Sequence, residues 1–294
     1  IIESKLKSDN IDWDSVVKVS TGHFVFPALY CNLKRANFLQ YLPEELVNYM
    51  IHITDLNRDR NQQIIDQAKE INTLLLNNNI IPIFLKGTGN LLEGLYDDIA
   101  ERMVGDIDFL VSKKDFNKTV EIILSFGYSK IREEDYDPLS FKHYPELSKE
   151  GRIAAVEIHK NVLIKKYIDE FNFEKLSKDL LNINDFTFLN FKNQLNLSII
   201  SQQIDDNGHQ LKNIALRNAY DVFLLSKRTD LKNAFNELNK LKKPLTNFIA
   251  LCNLIFFEVD TLDYVKTEET KRYTQSYLYL LNNNQKGAKH HKII

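Results

Sequence analysis

The sequence predicts an α+β fold, in which a small mixed β-sheet is flanked by N-terminal and C-terminal helical regions. Short apolar runs of strand length lie between residues 80 and 163, whereas apolar residues recur at helical spacing on either side of them. We therefore expect an N-terminal helical region at residues 1–78, a core at 79–165 and a C-terminal helical region at 166–294.

Composition narrows the class of protein. The 294 residues are 44% hydrophobic and 27% charged, as is usual for a globular protein, and the formal net charge is −2. A net charge this small gives no general attraction to long nucleic acids. Only two cysteines are present, which is typical of thiols in a reducing cytoplasm and not of a disulfide framework. The apolar run at residues 248–257 is too short to span a bilayer, so we expect a buried helix and no membrane association.

The N-terminal region carries helix signals in order. Asp12 is a suitable N-cap residue, and Pro43 followed by Glu44 is typical of a helix start. Apolar residues at helical spacing then predict one or two long helices up to the break at residues 77–79.

The core is expected to alternate between strands and helices, with a glycine-containing hairpin at its end. After residue 164 we expect only helix, most clearly at 194–202 and 211–228. The predicted core elements are a strand at 80–86, a short helix at 91–95, a strand at 105–111, a helix at 112–126, a strand at 128–132 and hairpin arms at 140–148 and 152–162.

Two aspartates define the first candidate site. Asp106 and Asp108 are two residues apart in a predicted strand, so their side chains leave the same face. Glu157 and His159 share a face of a second predicted strand, and Glu157 is the candidate third carboxylate. Grouped carboxylates suit Mg²⁺ or Mn²⁺, which also take oxygens from substrate phosphates. The alternative is a solvated strand end. His159 either lines this pocket, orients Glu157 or is a structural histidine.

The turn after the first strand is a candidate phosphate site. Lys86, Gly87 and Thr88 offer a charge, room for the backbone and a hydroxyl ahead of a helix start. A side chain at position 87 would then enter space meant for a triphosphate. In the alternative, Gly87 only permits a tight turn, and Lys86 only pairs with an acid such as Glu101 or Asp108. His143, on the first hairpin arm, either faces the pocket or lies in the core or at the surface.

These motifs together resemble the uncharacterised nucleotidyltransferase family, whose catalytic core is polymerase-beta-like. The resemblance covers most of the chain and departs from the broader superfamily where Lys86-Gly87-Thr88 replaces the usual Gly-Ser. It implies a nucleotidyltransferase-like core, with Asp106, Asp108 and Glu157 as catalytic metal ligands and Lys86, Gly87, Thr88 and Arg102 as nucleotide-binding residues. The quoted motifs are Leu85-Lys86-Gly87, Tyr96, Arg102, Asp106–Val111, Phe126-Gly127-Tyr128 and Val156–His159.

The leading hypothesis is therefore metal-dependent transfer of a nucleoside monophosphate from a nucleoside triphosphate to an acceptor hydroxyl, with release of pyrophosphate. The modest charge favours a small molecule or a protein as the acceptor. One alternative is an inactive nucleotide-binding or protein-interaction module with the same fold. A glycosyltransferase with an Asp-x-Asp motif is disfavoured, because only one clear strand precedes the motif.

Overall fold

A computed structural model of the chain describes residues 2–8, 10–132, 141–163, 165–257 and 259–287. The chain divides into two compact units, Ile1–Asn190 and Phe191–Ile294. The first unit contains a single mixed sheet, and helices precede and follow that sheet in the sequence. The predicted α+β fold is therefore confirmed. The three-part division at residues 78 and 165 stays a prediction.

Among the described residues, four α-helices precede the sheet, in the region that the sequence predicts to be helical. Asp12 caps the second of them by accepting a hydrogen bond from the backbone N–H of Ser15 at 3.0 Å. The fourth begins after Pro43 with two glutamates in its first turn, where negative charge offsets the partial positive charge of the helix end. The four helices are α1 (Ile2–Leu6), α2 (Trp13–Gly22), α3 (Phe26–Arg35) and α4 (Glu44–Leu76).

The end of α4 leads the chain directly into the sheet. Asn79 adopts a φ of 61°, and the next N–H, of Ile80, donates to the carbonyl oxygen of Leu75 at 3.0 Å. Asparagine tolerates this left-handed conformation better than most residues, so the predicted break at residues 77–79 is confirmed. The inner face of α4 is fully buried at helical spacing, by Ile64, Ala68, Ile71 and Leu75.

Seven strands form the mixed sheet. They are β1 (Ile83–Phe84), β2 (Asp106–Leu110), β3 (Ser129–Lys130), β4 (Leu147–Ser148), β5 (Ala155–His159), β6 (Leu180–Ile183) and β7 (Phe186–Leu189). Their order is β3-β4-β5-β2-β1-β7-β6, which puts β2 at the centre. β2 is parallel to β5 and antiparallel to β1, and β1 is in turn parallel to β7.

The hairpin of β6 and β7 was not predicted, since we expected only helix after residue 164. Its two-residue turn, Asn184-Asp185, has φ values of 49° and 66°, the left-handed pair that a type I′ turn requires. Phe186 and Phe188 of β7 are both buried. The hairpin extends the sheet beyond β1, so the prediction of an all-helical region at 166–294 is wrong for residues 180–189.

The elements around the strands differ from the predictions in length. Helix α5 (Lys86–Leu92) begins at Lys86 and not near residue 91, so the glycine-rich segment lies in its first turn. Helix α6 (Phe116–Ser125) lies within the predicted range, and a short helix α7 (Phe173–Leu176) follows the core. The first hairpin arm is reduced to β4 and an isolated bridge between His143 and His159; residue 140 of that arm lies outside the described residues.

The second unit, over its described residues, is helical. The predicted helix at 211–228 starts only at residue 216, because Lys212 adopts a left-handed φ of 56°. Cys31 of the first unit and Cys252 of the second are buried free thiols. None of the helices in the described ranges is long and apolar enough to cross a membrane. The helices are α8 (Phe191–Ile200), a π-helix at Ser201–Asp205, α9 (Gly208–Leu211), α10 (Leu216–Ser226), α11 (Leu231–Ala234), α12 (Lys242–Ile255) and α13 (Glu268–Gly287).

Candidate active site

The parallel pair β2 and β5 aligns the acidic residues. Asp108 is the register partner of Glu157, and Leu110 is the partner of His159. Alternate residues of a strand share a face, so Asp106, Asp108, Glu157 and His159 all lie on the same face of the sheet. Asp108 and His159 are buried, and Glu157 is partly buried. Burial of acids this close together requires positive charge or hydrogen-bond donors near them.

Lys86, the first residue of α5, supplies the positive charge. Its Nζ lies 2.6 Å from Oδ1 of Asp108 and 3.7 Å from Oε2 of Glu157. The pairing of Lys86 with Asp108, one of the alternatives considered from the sequence, is therefore present. An ammonium group has three donors and a compact charge, so it neutralises the two carboxylates in part while leaving other oxygens for further ligands.

His159 supplies the hydrogen-bond donor. Its Nε2 lies 2.9 Å from Oδ1 of Asp108 and 3.2 Å from Oε2 of Glu157. Ionised carboxylates only accept hydrogen bonds, so Nε2 carries the proton in this arrangement. The ring of His143 lies 5.0 Å from that of His159. Burial is the main cause that lowers the pKa of His143, and the neighbouring His159 is the second cause. His143 therefore borders the site as a neutral imidazole.

The same cluster is the candidate metal centre. One ligand atom each from Asp108, Glu157 and His159 lies within 4.8 Å of the other two. Asp106, the first of the three predicted carboxylate ligands, is not part of that group, although it shares the strand face. Carboxylate oxygens are hard ligands that fit Mg²⁺ or Mn²⁺, and the partly buried, closely spaced acids therefore fit a divalent cation.

A family model described as "Uncharacterised nucleotidyltransferase" matches residues 9–257, which is most of the chain. The chain belongs to this family. The resemblance seen in the sequence motifs is thereby confirmed, and the Asp108–Glu157–His159 cluster agrees with nucleotidyltransferase activity in general. Searches of curated proteins and of solved structures found no significant match.

The two aspartates of the site have opposite acid–base properties. Burial would raise the pKa of Asp108, but the charge of Lys86 and the hydrogen bond from His159 outweigh it and hold that pKa well below its usual range. Partial desolvation and the charges of Asp108 and Glu157 raise the pKa of Asp106 to about 6. Asp108 therefore stays ionised to a lower pH than an ordinary aspartate, whereas Asp106, with a pKa of about 6, takes up a proton in mildly acidic solution without metal.

We expect Asp106→Asn to stabilise the metal-free protein more at pH 7 than at pH 4. The pKa of Asp106 is about 6 in the folded protein, against 3.8 for an ordinary aspartate, so the protonated form favours folding. This contribution is complete below pH 3.8 and is lost as the pH rises through 6. Asparagine resembles the protonated acid and has no charge to lose.

Urea unfolding of both proteins in a chelator, at pH 4 and pH 7, measures the difference. Asp59→Asn, an exposed position on α4, is the matched control. A stability difference that is the same at both pH values would contradict the raised pKa of Asp106.

The predicted triphosphate turn has other contacts in the structure. The hydroxyl of Thr88, a buried residue, donates to the carbonyl oxygen of Asp106 at 2.5 Å. The guanidinium of Arg102 donates to the carbonyl oxygen of Met103 at 2.8 Å, and Arg102 is also buried. The bond of Thr88 ties α5 to β2, whereas the bond of Arg102 lies within the segment before β2. A direct role of Thr88 or Arg102 in triphosphate binding stays a prediction.

The space beside Gly87 is occupied by other atoms of the protein. A Cβ atom at this position would lie 3.0 Å from Cγ2 of Val104 and 3.7 Å from Cζ of Arg102. This packing is a second reason for glycine at position 87, and the expectation that a side chain there would enter space meant for a triphosphate stays a prediction. A residue larger than glycine would press on the side chain of Val104, in the segment that leads into β2.

We accordingly expect Gly87→Val to lower the free energy of unfolding of the nucleotide-free protein by about 1–3 kcal/mol, the usual cost of overpacking. Urea unfolding measures it, with Gly105→Ala as the control, because a Cβ at Gly105 meets no atom within 4 Å. Unchanged stability together with weakened triphosphate binding would favour the phosphate explanation.

Sequence reasoning treated two features too lightly. His159 was the weaker of the two β5 candidates, yet its ring nitrogen bridges both carboxylates. Gly89 was not singled out from the sequence, yet a Cβ there would lie 2.9 Å from the backbone oxygen of Phe84. The two-residue spacing of Glu157 and His159 in an alternating strand is the signal that points to His159. No local signal identifies Gly89, because its neighbour Phe84 belongs to the preceding strand.

Proposed function

We propose that the protein transfers a nucleoside monophosphate from a nucleoside triphosphate to an acceptor hydroxyl and releases pyrophosphate. The observation that carries the proposal is the side-by-side placement of Asp108 and Glu157 on adjacent parallel strands, with Asp106 on the same face. Family membership supports the same reaction class. In the transfer, the acceptor oxygen forms a bond to the α-phosphorus, and the bond from that phosphorus to the bridging oxygen of pyrophosphate breaks.

The carboxylates of the site have different roles in the proposed transfer. Asp106, Asp108 and Glu157 would hold Mg²⁺ or Mn²⁺, which supplies charge neutralisation of the triphosphate and a lowered pKa of the acceptor hydroxyl. Asp108 acts as a charged ligand, because Lys86 and His159 hold its pKa below the usual range. Glu157 takes the proton of the acceptor hydroxyl. His159 is a positioning residue, since its Nε2–H spans Asp108 and Glu157 and fixes the separation of their carboxylates.

The experiment is a pyrophosphate-release assay with each of the four common nucleoside triphosphates, Mg²⁺ or Mn²⁺, and a panel of small-molecule and protein acceptors. We expect metal-dependent release with at least one combination, and its loss in Glu157→Gln. Glu121→Gln, at an exposed position of α6, is the matched control and should retain the rate. Equal rates in wild type and Glu157→Gln would overturn the assignment of the site.

One observation favours a second candidate, an inactive module with the same fold. The Lys86 ammonium already pairs with the buried carboxylates, so the cluster has an internal cation. A protein-interaction module of this kind would bind neither Mn²⁺ nor triphosphate at the cluster, whereas an inactive nucleotide-binding module would bind both without turnover. Pyrophosphate release separates the enzyme from both kinds of module. Calorimetric titration with Mn²⁺ in the presence of triphosphate separates the protein-interaction module from the other two, because only those two show binding that Asp108→Asn removes.

A further inference from the structure

Lys86 lies where a bridging cation would lie. Its Nζ is 2.6 Å from Asp108 and 3.7 Å from Glu157, and these two side chains are only 8% and 14% exposed. Mg²⁺ contacts carboxylate oxygens at about 2.0–2.1 Å. A cation that used the oxygens facing Lys86 would meet the ammonium at close range, where two positive charges repel each other. The ammonium and a bridging metal therefore compete for the same place.

The backbone of Lys86 is fixed, so the competition concerns the side chain alone. The N–H of Leu85 donates to the carbonyl oxygen of Asp108 at 2.9 Å, and the N–H of Gly89 donates to the carbonyl oxygen of Leu85 at 2.9 Å. Between these bonds Lys86 adopts a φ of 52°, a conformation that glycine adopts with much less strain. The side chain of Lys86 therefore leaves the backbone directly beside the carboxylates, at a position that is strained for a lysine.

The lysine side chain can leave this place without moving the backbone. It has a flexible stem of four carbons, and it is 27% exposed, so a path to solvent exists. Three carboxylates and one ammonium leave the cluster negative, which attracts a divalent cation, but a displaced ammonium needs a new anionic partner. The phosphate oxygens of a bound triphosphate are such a partner.

We propose that Lys86 is an exchangeable counter-ion that occupies the cation position of the cluster in the nucleotide-free protein and moves to the triphosphate when metal binds. The inference rests on the proposed function, because it takes the triphosphate as the second partner of Lys86. It makes metal binding and triphosphate binding mutually dependent: each removes the obstacle to the other. In the absence of nucleotide the site therefore binds Mg²⁺ or Mn²⁺ weakly.

The test measures the affinity of Mn²⁺ alone, without nucleotide, by the loss of the electron paramagnetic resonance signal of free Mn²⁺. Lys86→Met keeps the length of the side chain and removes its charge. We expect Mn²⁺ to bind this variant about tenfold or more tightly than wild type. Lys113→Met, at an exposed lysine that lies 3.8 Å from Glu174, is the matched control and should bind Mn²⁺ as wild type does.

A second variant at position 86 ensures that the Mn²⁺ test does not depend on a single substitution. Lys86→Gly also lacks the ammonium but relieves the backbone strain at φ 52°. The counter-ion role predicts the same gain in Mn²⁺ affinity for Met and Gly, although their effects on stability differ. Unchanged or weaker Mn²⁺ binding in the folded variants would overturn the proposal. If Lys86→Met does not fold, the result for Lys86→Gly decides.

The triphosphate arm uses the α,β-methylene analogue of ATP at a fixed concentration of free Mn²⁺. We expect both variants at position 86 to bind the analogue about tenfold more weakly than wild type, with a smaller loss at high salt. Unchanged affinity for the analogue would overturn the assignment of the triphosphate as the second partner of Lys86. If no triphosphate gives pyrophosphate release but the Mn²⁺ results are as expected, the proposed reaction is contradicted, whereas the counter-ion role of Lys86 is retained.

Discussion

Asp108→Asn is expected to lower the rate of nucleotidyl transfer about a thousandfold, equivalent to roughly 4 kcal/mol of transition-state stabilisation. Asp108 is buried, is paired with Glu157 across the strands, and receives Lys86 and His159 on the same oxygen atom. An asparagine has nearly the same shape but no negative charge, so it is a much poorer ligand for a divalent cation. The measurements are pyrophosphate release and Mn²⁺ affinity, which should fall together.

Asp59→Asn, at an exposed position of α4, controls for the loss of a single negative charge and should leave both quantities unchanged. Circular dichroism of Asp108→Asn verifies that the sheet is intact. A variant that is folded, binds Mn²⁺ as wild type does and retains more than a tenth of the rate would remove Asp108 from the metal centre.

Gly89→Val is expected to cause the largest loss of stability, about 3 kcal/mol or more. A Cβ at this position would lie 2.9 Å from the carbonyl oxygen of Phe84 and 3.0 Å from its carbonyl carbon, and backbone atoms of a strand cannot rotate away. Helix α5 would have to move off β1. Because α5 begins at Lys86, this movement would also displace the ammonium from Asp108.

Urea unfolding of Gly89→Val measures the loss, and Gly105→Ala is the comparison, since a Cβ there meets no atom within 4 Å. Metal affinity provides a second readout, because a shifted α5 changes the position of Lys86. If Gly89→Val unfolds at the same urea concentration as Gly105→Ala, the close approach of α5 to β1 is not a constraint on the fold.

The carboxylate strands could be predicted because their signals are local. An apolar run with acids two residues apart indicates both a strand and a shared face, and β2 and β5 confirm this. That Asp108 and Glu157 would be direct partners could not be predicted, since register depends on how two distant strands pair. The family resemblance placed the residues in one site but gave no distances.

The hairpin of β6 and β7 shows where a local reading failed. Phe186 to Leu189 is short and apolar, so its periodicity does not separate strand from buried helix. The turn residues Asn184 and Asp185 were the available signal, because both tolerate a positive φ. The strand is also stabilised by its pairing with β1, a contact between residues far apart in the sequence that no window of the chain reveals.

The parallel pairing of β1 with β7 has a consequence for biosynthesis. While the chain emerges from the ribosome, β1 and β2 can pair early, but the far edge of β1 keeps unpaired N–H and C=O groups until residue 189 is made. An open strand edge is a template for pairing with another nascent chain. Expression of residues 79–165 alone would leave that edge open permanently, whereas a fragment that extends to Asn190 includes the strand that covers it.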